Sequence, residues 1–206
     1  MTLLLARHGQ TVWHRENRYA GGASDPDLTD EGRAQAERLA RWAVDRGVTA
    51  VVSSPQDRAV ATAAPAAAAL GVALGHCADL REVGFGIAEG HILDELDPAV
   101  VAAFRADPVA HPFPGAEPPA DAARRCVAGL RAIAAARPDD TVLVVAHNTL
   151  LRLGLCALLG LPLARYRQVF PRLDNIAITE IALRADREVP AALLSFNTPV
   201  SAKEPT

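Results

Sequence analysis

Short runs of uninterrupted apolar residues, set between segments of helical period, constrain this chain more than any other feature. Thr2-Leu3-Leu4-Leu5-Ala6, Thr49–Ser53 and Thr141–Ala146 show no polar alternation, which is the pattern of strands covered on both faces. Helical segments fall between them. Thr29 is placed to cap a first turn, Asp30 and Glu31 sit where the macrodipole favours acids, and Gly47 marks the stop. Ala36, Leu39, Ala40, Ala43 and Val44 supply that helix's buried stripe. Ser54-Pro55 reads as cap and first residue of a helix through Ala69 that bends at Pro65. Val72–Cys77 reads as a shorter strand and Asp79–Gly90 as a loop. A helix over Ala120–Arg137 precedes the third apolar run, and Asn148–Leu159 follows it, ended by Gly160. Ile176–Leu183 and Ala191–Phe196 read as final strands before a loose tail.

This alternation predicts an α/β fold: a three-layer α/β/α sandwich with a mostly parallel central sheet. The 206 residues fit one domain, 1–206, in which the proline-punctuated stretch of about 91–119 is a small cap insertion. Ligands collect outside the carboxyl ends of the strands in such sheets. Arg7-His8-Gly9 follows the first strand, Arg58 lies in the first helical turn after the second, and His147 closes the fourth. All four should meet on one rim.

Those residues suit phosphoryl chemistry. Arg7 and Arg58 offer planar forks for phosphate oxygens, and the helix starts after Ser54 and His147 add fixed dipoles. His8 can attack phosphorus, His147 can stabilise charge on the equatorial oxygens, and Gly9 lets a substrate approach the main chain closely. Arg58 at a helix start opposes the macrodipole, a mismatch that a bound anion would remove. A proton donor to the leaving oxygen is also needed; Glu82 is a candidate, with Asp79, Glu89 and Asp94 as competitors. These steps call for no metal and no cofactor.

A net charge of −3 excludes a nucleic-acid or anionic-membrane footprint but leaves room for a small anionic ligand. Lys203 is the only lysine, so Schiff-base and P-loop mechanisms are excluded. Cys77, Cys126 and Cys156 lack metal-site spacing and read as reduced thiols. The amino terminus shows no secretion signal, and Val142–Leu163 is broken by His147, Asn148, Arg152 and Pro162, so a cytoplasmic protein that does not enter membranes is expected. Trp13 and Trp42 read as packing residues, and Arg124, Arg125 and Arg131 as a solvated helix face.

Arg7-His8-Gly9-Gln10-Thr11, Asn17-Arg18-Tyr19-Ala20-Gly21, Leu28-Thr29-Asp30-Glu31-Gly32, Ser53-Ser54-Pro55-Gln56-Asp57-Arg58-Ala59, Leu80-Arg81-Glu82-Val83-Gly84 and Val145-Ala146-His147-Asn148 together resemble the histidine phosphatase superfamily, the phosphoglycerate mutase-like group, branch 1. The resemblance runs from Leu4 to about Ile181. It implies that His8 is the phosphorylated histidine, that Arg7, Arg58, His8 and His147 bind phosphate, and that Glu82 is the acid. His14, Asn17, Gly21 and Asn148 become candidate substrate contacts. His14 stands where the family often has asparagine, Asn148 replaces a common glycine, Gly84 a common aspartate, and Ala88 a frequent tryptophan. The implied activity is metal-independent hydrolysis of a small phosphorylated metabolite through phosphohistidine. The alternatives are a mutase-type isomerase and a catalytically silent phospholigand-binding protein. The edge strand Ala191–Phe196 could pair two copies into a homodimer.

Overall fold

The computed structural model describes residues 1–183 and 191–200; Lys203 and the end of the tail lie outside them. Six strands, β1 (Thr2–Arg7), β2 (Ala50–Ser53), β3 (Leu74–His76), β4 (Thr141–Ala146), β5 (Ile178–Leu183) and β6 (Ala191–Thr198), form one sheet in the order β3-β2-β4-β1-β5-β6. The first four in that order run parallel, and β5 and β6 add on antiparallel. The helices are α1 (Trp13–Glu16), α2 (Asp30–Asp45), α3 (Asp57–Leu70), α4 (Pro98–Ala106), α5 (Pro119–Ala136), α6 (Asn148–Leu158) and α7 (Tyr166–Val169).

The two faces of β1, β2 and β4 feed separate cores. Leu4, Val51, Leu143 and Val145 pack with Leu39, Ala43, Ala63 and Ala66 of α2 and α3, while Leu3, Leu5, Val142 and Val144 pack with Cys126, Leu130, Leu150 and Leu153 of α5 and α6. This two-sided burial is why the strands carry no polar alternation. No helix among the described residues is long and apolar enough to cross a membrane.

The register positions the site. Arg7 lies opposite Ala146 and Ser53 opposite Val145, so His8, Ser54 and His147 leave the sheet side by side. The main chain locks them there: the His8 N–H donates to Ala146 O at 2.9 Å and the Ser54 N–H to Val145 O at 2.9 Å.

Several local readings need correction. Thr29 does cap α2, accepting from the Gly32 N–H at 3.0 Å, but Ser54 does not start α3. That helix begins at Asp57, because Asp25 reaches across to accept from the Asp57 and Arg58 N–H groups at 2.5 and 3.2 Å. The anion facing Arg58 at this helix start is therefore a resident carboxylate. α3 also runs through Pro65 to Leu70 without interruption. β3 is confined to three residues, and β5 starts two residues late because Ile176 adopts a left-handed φ of 57°. The space beside Gly9 belongs to the protein itself: a Cβ there would stand 2.7 Å from Gly32 O, and one on Gly32 would stand 2.1 Å from Gln10 O. The two glycines let the start of α2 press onto the loop after β1.

In the 91–119 stretch, Phe104 of α4 stacks on Phe113 at 3.8 Å between centroids, and Tyr19 meets Phe113 edge-on at 5.5 Å. This stretch is thereby tied to the loop after α1.

Candidate active site

An open cleft of about 270 Å³ lies over the carboxyl ends of β1 and β4. Arg7, His8, His14, Asn17, Glu82 and Asn148 line it, whereas Arg58, His147 and Gly21 do not reach its wall. Arg58 and His147 are fully buried, yet the His147 ring centroid is 5.2 Å from that of His8. Gly21 is buried too, and its carbonyl accepts from Gln56 Nε2 at 2.9 Å and Arg58 Nη2 at 3.2 Å.

His8 is held in one tautomer. Its Nδ1 stands 2.8 Å from Gly9 O, and a carbonyl can only accept, so Nδ1 carries the proton and Nε2 keeps its lone pair. Burial first, then the Arg58 and Arg7 charges, hold His8 neutral by pushing its pKa well below the ordinary value. A buried, neutral imidazole with a free lone pair is a competent nucleophile. The backbone around it is pinned: Gly9 N–H donates to Thr62 Oγ1 at 2.9 Å, and Asn175 Nδ2 donates to His8 O at 2.7 Å.

His147 meets Ser54 Oγ through Nε2 at 2.8 Å and leaves Nδ1 buried without a partner. Its pKa is also well down, through burial and then the charge of Arg58. Ser54 is thus spent on orienting an imidazole. Arg58 spans the loop below, donating through Nη1 to Ser24 O and Asp25 Oδ1 at 2.7 and 3.0 Å.

Arg7 donates through Nη1 to Leu173 O at 3.0 Å and places Nη2 2.6 Å from His14 Nε2. A guanidinium can only donate, so His14 Nε2 accepts from Arg7 and Nδ1 carries the proton, with Thr11 Oγ1 as its acceptor at 2.8 Å. Burial, then Arg7, pulls His14 down to about 4, while burial brings Arg7 to about 10 and leaves it charged at neutral pH.

Of the four carboxylates open as acid, only Glu82 lines the cleft. Asp79 and Asp94 are exposed, and Glu89 accepts from the Phe85 and Ala23 N–H groups at 3.0 Å each. Glu82 Oε1 accepts from the Val83 and Leu150 N–H groups at 2.9 and 2.8 Å, and Oε2 from Thr149 N–H alone at 3.1 Å. One lone pair of Oε2 stays uncommitted. Burial raises the pKa of Glu82, against the pull of those amides and of Arg58.

Several residues around the site had no functional role assigned from the sequence. Gln56 is buried and accepts from the Glu82 N–H at 2.8 Å. Arg125, expected on a solvated face, is half-buried and donates to Asp79 O, Arg81 O and Glu82 O at 2.8, 2.6 and 3.1 Å while gripping Glu117. Trp13, Arg152 and Arg167 line the cleft. Helical spacing alone gives an inward arginine no signature that differs from an outward one.

The buried imidazoles have a consequence for stability. In the unfolded chain His8, His14 and His147 take up protons below about 6.5, while the folded chain resists that uptake, so the unfolded state gains on acidification. Glu82 acts the other way: above its ordinary 4.5 the folded chain keeps a proton that the unfolded chain has lost. Three groups against one predict a melting temperature that falls steadily from pH 7.5 to pH 5.5 in phosphate-free buffer. A flat or rising melting temperature over that window would contradict the buried, neutral state of these rings.

Comparison with known proteins shows the family and the fold. A family model described as histidine phosphatase superfamily (branch 1) matches residues 3–195. The chain is 32% identical over 188 residues to a putative phosphoserine phosphatase 2 of Hydrogenobacter thermophilus, covering 90% of this chain and 91% of that one. It is 30% identical over 185 residues to a probable phosphoglycerate mutase of Yersinia pestis, covering 88% and 84%. Among solved structures, a mycobacterial glucosyl-3-phosphoglycerate phosphatase complexed with VO3 superposes with a TM-score of 0.85 at 28% identity, covering 96% of this chain and 99% of that one.

Proposed function

The chain belongs to the histidine phosphatase superfamily, branch 1, and from that premise we propose that it hydrolyses a small phosphomonoester by way of a phosphohistidine formed on His8. The observation that carries this reading is the tautomer of His8, fixed by Gly9 O at 2.8 Å with the lone pair left on Nε2, in a cleft that Arg7 also lines. Arg7 binds the phosphoryl oxygens, Arg58 adds its buried charge from beneath the cleft with Nε unpartnered, and His14, in place of an asparagine, orients Arg7. His147 donates to the equatorial oxygens as they flatten. Glu82 protonates the leaving oxygen and then takes a proton from the attacking water. Asn17 and Asn148 contact the substrate from the cleft wall, and Gly21 acts through the carbonyl that holds Arg58.

The wall of the cleft is rich in guanidinium although the chain as a whole carries −3, which suits a small anionic metabolite. Buried or half-buried free thiols at Cys77, Cys126 and Cys156 fit a cytoplasmic setting. The β6 edge, where Leu193 and Leu194 are exposed, is the surface offered to a second copy in a homodimer.

Purified protein should release inorganic phosphate from phosphoserine or a phosphoglycerate in the presence of EDTA. The Yersinia relative favours one second reading, a mutase. Isomerisation of phosphoglycerate that depends on a bisphosphate primer, without net phosphate release, would replace the phosphatase reading with that one. Tight binding of the esters with no turnover would leave only a binding protein.

A further inference from the structure

We propose that Arg152 of α6 and Arg167 of α7 form a second anion subsite in the cleft, one that takes a carboxylate carried on the alcohol portion of the substrate. Arg152 is only 7% exposed, its Nε is buried with no partner, and no carboxylate of the described residues lies within ion-pair distance of it. Arg167 donates through Nε to Tyr166 Oη at 3.0 Å and has no acidic partner among the described residues either. Arg58 and Arg125 have carboxylate partners in Asp25 and Glu117, whereas of the cleft arginines without one, Arg7 is already assigned to the phosphoryl group beside His8. That leaves Arg152 and Arg167 for another anion.

Their arrangement holds the charges together without cancelling them. The Arg152 and Arg167 Cζ atoms lie 4.9 and 5.5 Å from the centroid of the Tyr166 ring, and Arg167 also covers Phe104 at 4.5 Å. The aromatic faces steady two like charges and fix their planes, leaving Nη groups for a ligand. Both arginines line the same cleft as His8, as does Asn148, whose Oδ1 is buried without a partner. Turned about, that amide adds an N–H donor to the subsite. A planar fork matches a carboxylate in two parallel hydrogen bonds.

This subsite rests on the phosphatase reading, because its ligand is the remainder of the ester bound at His8. The test therefore measures binding and turnover separately. In a His8→Ala background, calorimetry compares 3-phosphoglycerate with sn-glycerol 3-phosphate, which has a hydroxymethyl group in place of the carboxylate, and with propane-1,3-diyl bisphosphate. The carboxylated ester should bind about tenfold more tightly than the glycerol ester, as one charge-assisted fork contributes. Adding Arg167→Gln or Arg152→Gln should shrink that preference to less than about threefold. Arg167 is only half-buried, so its variant serves even if Arg152→Gln fails to fold. Equal affinities in the His8→Ala parent, a preference intact in the folded variants, or tighter binding of the bisphosphate would each overturn the proposal. Failure of His8-intact protein to release phosphate, with the carboxylate preference standing, would instead remove the phosphatase reading and leave the subsite supported.

Discussion

His8→Ala is expected to lower turnover of any phosphomonoester by at least roughly three orders of magnitude while leaving the fold in place, because no other group in the cleft can replace a neutral buried imidazole as nucleophile. His147, 5.2 Å away between ring centroids, does not reach the wall of the cleft, and both nitrogens of His14 are engaged, Nε2 by Arg7 and Nδ1 by Thr11. The contacts that hold this segment are made to the main chain of His8 and Gly9, by Ala146 O, Thr62 Oγ1 and Asn175 Nδ2, and the substitution leaves all of them intact. The second readout is covalent: brief incubation with a labelled ester, stopped in alkali to preserve a phosphoramidate, should label the parent protein and not the variant. Turnover within about tenfold of the parent, or label persisting in the variant, would move the nucleophile to another residue.

How much of this was legible beforehand follows from which partners are local. Thr141–Ala146 reads as a strand because both of its faces are buried, and each residue reports that independently. The 5.2 Å approach of His8 and His147 follows from neighbouring strand ends in a parallel sheet. Ser54 illustrates the opposite case. As a serine before a proline and a helix it has every local mark of a cap, but the capping anion is Asp25, which arrives from a loop some thirty positions earlier, and that frees the hydroxyl for His147. The functions of Gln56 and Arg125 were likewise hidden, since their partners are backbone carbonyls and amides brought near only by tertiary packing. Arg152 was visible only as a charge that broke an apolar run; nothing local distinguishes an arginine aimed into a cleft from one pointing to solvent.

Glu82→Gln separates the acid's role from its structural one. Expelling an alkoxide requires a proton, whereas an aryl oxide leaves without one, so the variant should lose about 10²- to 10³-fold on alkyl phosphates and less than about tenfold on aryl phosphates. Glutamine can still accept through one oxygen from the Val83 and Leu150 N–H groups, as Glu82 Oε1 does, so the start of α6 should hold and the melting temperature should stay near the parent's. The amide nitrogen then replaces Oε2, the oxygen with the uncommitted lone pair, and meets the Thr149 N–H donor with another donor. Any structural penalty from that clash falls on both substrates alike, while loss of the proton falls on one. The pH profile adds a sign. Burial raises the pKa of Glu82, so for the parent kcat/KM on alkyl esters should decline as pH rises through that value and deprotonates the acid. The variant should show no such limb. Equal losses on both substrate types, with the alkaline limb retained in the variant, would assign the proton to a different group and reduce Glu82 to a clamp on the first turn of α6.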